Sequence, residues 1–293
     1  MELIQVGEKT YYIKNPTNIG IYKINNNDVY LIDSGNDKDA GRKILKIIAA
    51  QGWTVKGIIN THSNADHIGG NKIISDRTGC DVFANGIEQC FTQHTLLEPS
   101  FLYGGYPFKN LRNKFLMAKD TDVKPIEHNL PDGLEWFELK GHFFDMIGVK
   151  TSDNVLFLAD SLFSAETIGK YHLFFIYDVK EFFETLDKLE NMQGRVFIPS
   201  HCEACETIDS LVKMNRAKVT EVAETIFEIC EKPVAFEDIL KQLFDKYSLV
   251  MNANQYVLIG STIRSYLSYL CDDGRIEYYF ADNKMLWKQI KNN

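Results

Sequence analysis

The chain has 293 residues and carries 32 Lys+Arg against 40 Asp+Glu, a formal charge of −8. That balance argues against a general binder of polyanions. Hydrophobic residues at 45% and charged residues at 25% are ordinary for a globular protein and exclude disordered, collagen-like and low-complexity classes.

No basic run precedes an apolar core at the N-terminus, and no later segment approaches the ~20 apolar residues of a membrane span. A soluble cytoplasmic protein without membrane contact is therefore expected. In chain order, β-branched and aromatic runs predict strands over 11–14, 19–24 and 29–32, with Asn25, Asn26, Asn27 and Asp28 as a turn. Asp33-Ser34-Gly35 closes the third strand. Ile44, Leu45, Ile47 and Ile48 have helical spacing, and 55–60 is a strand running into Thr61-His62. Further strands are predicted over 81–84, 134–139 and 195–199, and 146–150 should pair with 155–159 across a turn at 151–154. Helices separate several of these, which predicts a mixed α/β (α+β) domain over residues 1–207.

The pattern then changes. Helices are predicted over 213–231, 236–247 and 254–270, followed by a hairpin of 275–280 with 284–287. Three helices and a hairpin resemble a winged-helix module, so 208–293 reads as a small, mainly helical winged-helix-like domain. From residue 211 onward it carries 11 basic and 11 acidic residues, and its third helix holds the single cation Arg264. A nucleic-acid face needs a surplus of positive charge. A structural or homodimerisation role is expected instead.

Chemistry concentrates in the first part. Thr61-His62-Ser63-Asn64-Ala65-Asp66-His67-Ile68-Gly69-Gly70 follows a strand and places two histidines and a carboxylate within six residues. Borderline metals take such donors. In extended backbone, residues two apart share a face, which directs His62 and Asn64 into one site. His142 follows Gly141 after another strand, Asp160 is expected to close the strand over 155–159, and His201 follows Pro199-Ser200. Of 7 histidines, four fall on these strand ends. His94, His128 and His172 match no motif.

Taken together, His62-Ser63-Asn64-Ala65-Asp66-His67, Gly141-His142, Asp160-Ser161, Pro199-Ser200-His201 and the early Leu31-Ile32-Asp33-Ser34-Gly35 resemble the metallo-β-lactamase-fold hydrolases across residues ~15 to ~205. The resemblance implies an αβ/βα sandwich with a metal site on one edge and one or two divalent ions, zinc first, with iron or manganese also suited. It implies His62, Asn64 and His142 around one ion, and Asp66, His67 and His201 around a second, with Asp160 bridging. A metal-activated hydroxide would be the nucleophile, and Asp66 would act catalytically by orienting it and moving its proton. Asn64 departs from the pattern, which has histidine there. An amide oxygen binds zinc more weakly than imidazole, so the second site is expected to fill first.

The expected function is hydrolysis of a small ester, thioester, lactone or phosphodiester. A glyoxalase II-like thioesterase is the enzymatic alternative, and a metal-binding regulator acting through the C-terminal module is the non-enzymatic one. Residues 86–133, rich in aromatics with Gly104, Gly105 and Pro107, read either as a flexible apolar lid that sets substrate choice or as simple packing of an oversized connection. The six cysteines lie mostly in apolar patterns and are expected to be reduced, and Cys202 and Cys205 are read mainly as packing residues.

Overall fold

Alternation with a period of two builds the central layers, as the computed structural model of residues 1–291 shows. The first sheet contains β1 (Glu2–Gln5), β2 (Thr10–Lys14), β3 (Ile19–Lys23) and β4 (Asp28–Ile32), which run antiparallel to one another. Helix α1 (Lys38–Ala50) then leads to β5 (Thr54–Ile59), α2 (Ala65–Ile68) and α3 (Asn71–Thr78) to β6 (Asp81–Ala84), and α4 (Glu88–Gln93) and α5 (Leu97–Tyr103) to β7 (Lys124–Pro125). From β4 to β7 the strands are parallel, because each connection crosses over the sheet. On β4, Val29 and Leu31 pack outward with Ile44 and Ile48 of α1, while Ile32 packs inward with Tyr22 and Ile59.

The second sheet has the order β11-β10-β9-β8, from β8 (Leu134–Glu138), β9 (Ile147–Thr151), β10 (Val155–Phe163) and β11 (Val196–His201). Helices α6 (Ala165–Tyr171) and α7 (Val179–Glu190) connect β10 to its parallel neighbour β11. Val149, Val155, Phe157 and Ile198 face the first sheet and form one apolar layer with Tyr12, Ile32, Ile59 and Phe83. Helices cover both outer faces, so the expected αβ/βα sandwich is the observed architecture.

The C-terminal segment comprises α8 (Asp209–Ile229), β12 (Val234–Ala235), α9 (Phe236–Lys246), α10 (Ala253–Asp272), β13 (Ile276–Ala281) and β14 (Lys284–Gln289), with sheet order β12-β14-β13. Residues on both sides of position 208 share a single apolar cluster: Leu158, Phe182 and Phe197 pack together with Val219, Ile226, Ile263 and Leu267. Buried Asn215 of α8 stitches the two parts by accepting from Phe163 N–H at 3.0 Å and donating to Phe163 C=O at 2.9 Å. The last two residues of the 208–293 segment lie outside the described residues. Among the described residues, no helix is long and apolar enough to cross a membrane.

One expectation changes and one open choice narrows. The β10 strand does not close at residue 159 but continues to Phe163, with register shifts around Ala159, whose φ is +49°. This bulge turns the chain sideways within the strand and places Asp160 at the sheet's rim. Of the two readings of the 86–133 segment, packing describes much of it better than a flexible lid. The segment folds into α4, α5 and a 3-10 turn, because Phe91, Leu102, Leu111 and Leu116 are buried and Phe91 packs edge-on against Phe143.

Gly141, just before His142, has φ +113°, and a Cβ there would lie 2.3 Å from the backbone nitrogen of Phe182. Backbone on α7 cannot yield as a flexible side chain would. Gly141→Ala is expected to lower stability by about 3 kcal/mol through strain and overpacking. Urea unfolding reads the change, and an unchanged midpoint would contradict the close approach.

Candidate metal centre

The site begins with Asp33, one residue beyond β4. Its φ of +64° is unusual for a residue with a side chain. The carboxylate is 2% exposed and accepts three hydrogen bonds at 2.8 Å, from Thr61 N–H, the Thr61 hydroxyl and Nδ1–H of His67. The end of β4 thereby fixes the loop after β5 and the first turn of α2. Gly69 and Gly70 let that turn pack closely, since a Cβ on Gly70 would lie 2.2 Å from Ser34 C=O.

The Thr61 hydroxyl has one proton, and Asp33 takes it. At 3.0 Å from His62 Nδ1 the same oxygen must therefore accept, so His62 carries its proton on Nδ1. His67 gives its Nδ1 proton to Asp33, His142 gives its own to Phe175 C=O at 2.9 Å, and His201 gives its own to Pro16 C=O at 2.8 Å. All four imidazoles are thus anchored through Nδ1 and turn Nε2 toward the rim. Acceptors of this kind, placed behind the ring, commonly fix the tautomer of metal-binding histidines.

The free nitrogens and the carboxylates meet. His67 Nε2 lies 3.2 Å from Asp160 Oδ1 and 3.6 Å from Asp66 Oδ2, and His201 Nε2 lies 3.0 Å from Asp160 Oδ2 and 3.4 Å from Asp66 Oδ2. His142 Nε2 lies 3.6 Å from Asp160 Oδ2 and 3.2 Å from Asn64 Oδ1. Donor atoms of His62, His67 and Asp160 lie within 4.8 Å of one another, as do those of Asp66, His67 and His201. The structure therefore brings all seven sequence-derived residues to one rim, with His67 common to both groups.

Three of these atoms, His62 Nε2, His67 Nε2 and Asp160 Oδ1, are buried without a hydrogen-bond partner. Orphaned polar atoms are unfavourable in a protein interior. A cation seated among them would satisfy all three, so the donor set fits a divalent metal. The partly exposed members are Asn64, Asp66 and His201, the side chains of the last two being 41% and 24% exposed, and they mark the open side.

The electrostatics alternate around the rim. Burial pushes the His62 pKa well below the ordinary imidazole value, with His67 adding to the effect, and burial likewise lowers His142. For His67 and His201 burial acts in the same sense, but Asp160 and Asp66 outweigh it and hold both well above the ordinary value. Against burial, His67 and His201 keep the Asp66 and Asp160 carboxyls below the usual carboxylate range.

Sequence reasoning missed two buried glutamates from the 86–133 segment. Glu88 accepts from Ser63 N–H at 2.9 Å, the Ser63 hydroxyl at 2.5 Å and Asp145 N–H at 2.9 Å. Glu98 accepts from Asn64 Nδ2 at 2.8 Å. It also passed over Thr17, whose hydroxyl donates to Asp66 Oδ2 at 2.8 Å. Residues 86–98 mix polar and apolar side chains, so no local signal singled out either glutamate. Cys202 and Cys205, beside His201, are free thiols raised in pKa by burial, Cys202 to about 12, which fits packing.

The sequence profile of the metallo-beta-lactamase superfamily matches residues 13–201. Over 129 residues the chain is 33% identical to a hydroxyacylglutathione hydrolase of Rhodopseudomonas palustris, spanning 44% of this chain and 42% of that protein. Over 56 residues it is 46% identical to a hydroxyacylglutathione hydrolase of Erythrobacter litoralis, spanning 18% and 22%. The chain thus aligns with less than half the length of these relatives. A metallo-beta-lactamase family protein from Thermus thermophilus superposes with a TM-score of 0.71 at 17% identity, over 96% of this chain and 99% of the other. A beta-lactamase domain protein from Burkholderia ambifaria gives 0.72 at 15% identity, over 99% and 94%. At such identities the likeness is one of fold.

Two measurements probe the scaffold behind the rim. Asp33→Ala removes the acceptor that fixes His67 and is expected to weaken divalent-metal affinity by about 10–100-fold, read by calorimetric titration; unaltered affinity would remove Asp33 from the scaffold. Burial raises the Glu88 pKa from 4.5 to about 7, so its contribution to stability is complete below 4.5 and is lost as pH rises to about 7. That rise corresponds to about 3 kcal/mol. In chelator-treated protein, Glu88→Gln should flatten the fall in unfolding free energy between pH 4.5 and 7, and an identical pH profile in both proteins would contradict the assignment.

Proposed function

The chain belongs to the metallo-beta-lactamase superfamily, and from that premise we propose that it is a metal-dependent hydrolase acting on a small ester, thioester, lactone or phosphodiester. The observation that carries this reading is the convergence of four Nε2 atoms, each anchored behind through Nδ1, on a spot where three buried polar atoms have no partner. His62, Asn64, Asp66, His67, His142, Asp160 and His201 would hold one or two divalent ions, zinc by our assignment with iron or manganese as the alternatives, which would supply Lewis acidity toward a carbonyl or phosphoryl oxygen and lower the pKa of water toward neutrality.

The residues do the rest. Asp66 stands at the open side, and its Oδ2 is fixed by the Thr17 hydroxyl at 2.8 Å. From there its carboxylate is placed to accept from an attacking water, orient it and carry the proton to the leaving group. Asp160 lies at the buried side, where its carboxylate would balance the charge of a bound cation. Neutral His62 and His142 contribute lone pairs without adding positive charge.

Within this class, the hydroxyacylglutathione hydrolases among the relatives support a thioester. For 208–293 we retain the winged-helix-like reading and assign it packing and self-association. The scarcity of positive charge supports this, since α10 carries Arg264 as its lone cation, stacked 3.7 Å over the Phe236 ring. Strand β13 is an edge of its sheet, with Tyr278 53% and Phe280 71% exposed, and unpaired apolar edges favour association.

Chromogenic esters, thioesters, lactones and phosphodiesters, presented to metal-reconstituted protein, test the chemistry. Turnover is expected with at least one class and should fall by about 10²–10⁴-fold in Asp66→Ala. Equal turnover in the variant would overturn the role of Asp66. For the C-terminal part, light scattering should show a dimer that Phe280→Glu converts to a monomer, and filter binding should show no salt-dependent uptake of nucleic acid. A monomeric wild type or strong binding at low salt would overturn that assignment.

A further inference from the structure

Asn64 sits at the N-cap of α2, a position where asparagine ordinarily bonds the first turn of its helix. Here the side chain makes no cap hydrogen bond. Its Nδ2 instead donates to Oε1 of Glu98 at 2.8 Å, and Glu98 is 5% exposed within α5. This contact decides which end of the amide looks into the rim. Oδ1 faces inward, 3.2 Å from His142 Nε2.

That pair is informative. His142 has already given its Nδ1 proton to Phe175 C=O at 2.9 Å, so the Nε2 of the neutral ring presents a lone pair. Asn64 Oδ1 presents lone pairs as well. Two acceptors facing each other at this distance call for a positive centre beside them. Turning the amide over would set an N–H against Nε2 and close the site, but it would also break the hydrogen bond that Asn64 Nδ2–H donates to Glu98 Oε1.

We propose that Glu98 is a positioning residue that holds the Asn64 amide with its oxygen inward, so that Asn64 Oδ1 and His142 Nε2 together form an oxygen-and-nitrogen seat for a divalent cation where the sequence motif has a second imidazole. The inference rests on the metal-centre reading and extends it in one respect. A harder donor at position 64 makes this seat relatively more favourable to manganese or iron(II) than an all-imidazole seat. The seat on Asp66, His67, His201 and Asp160 does not involve Glu98.

Calorimetric titration of chelator-stripped protein with manganese(II) chloride tests this without reference to turnover. Wild type is expected to take up two ions of unequal affinity. Glu98→Met, close in shape but without an acceptor, should weaken the looser ion by about 10–100-fold and leave the tighter one unchanged. Glu98→Gln keeps an acceptor for Asn64 and should restore the wild-type isotherm. Two ions bound equally well by wild type and Glu98→Met would overturn the role of Glu98 while leaving the metal centre standing, and so would a wild type that binds one ion. A wild type that binds none would overturn the metal-centre reading itself. If Glu98→Met fails to give a cooperative melt in chelator, Glu98→Asp, whose acceptor is withdrawn by one methylene, takes its place: loss of the looser ion supports the proposal and an unchanged isotherm overturns it.

Discussion

One buried carboxylate organises this edge of the molecule. Asp33 bonds both donors of Thr61 and Nδ1–H of His67, joining the end of β4, the loop after β5 and α2 in one network. Its effect reaches further than its contacts. By taking the Thr61 proton it makes that hydroxyl an acceptor, which sets the His62 tautomer and turns the Nε2 lone pair inward. The left-handed backbone at Asp33 is unfavourable by order 1–3 kcal/mol, and three charge-assisted hydrogen bonds in a dry interior offset it. Strain at a functional edge, supported by the surrounding network, is the expected pattern.

The rim combines donors from both sheets. The first sheet supplies the loop from Thr61 to His67, and the second supplies His142, Asp160 and His201, while the turn between β2 and β3 crosses over to hold His201 through Pro16 C=O. Ile32, Ile59, Phe157 and Ile198 fix the spacing from beneath as part of the layer between the sheets. Four imidazoles and two carboxylates packed this closely leave buried atoms unpaired. On its own that would be a defect. It becomes intelligible as a site that a cation completes, with the stability supplied by the apolar layers on either side.

Much of this was legible in the sequence because it is encoded locally. Periods of two and of 3.6 marked most strands and the long helices, and the spacing of His62, Asp66 and His67 marked the ligand loop. Asp160 was found, but its setting was misread, since the bulge at Ala159 depends on pairing with β11 and leaves no trace in hydropathy. Glu88 and Glu98 were invisible for a related reason. Their partners Ser63 and Asn64 lie 25 and 34 residues away, and a carboxylate in an aromatic stretch looks like surface until the fold buries it. The same distance effect hid the shared core around Val219 and Phe182, which neither half of the chain displays alone.

The most direct test of the whole arrangement is anomalous diffraction from crystals soaked in zinc or manganese. A peak bonded through Nε2 of His67 and His201 and through the Asp66 and Asp160 carboxylates is the expected result. Crystals with no peak at the rim, or with ions bound only at surface carboxylates, would contradict the claim that these buried lone pairs exist to hold a metal.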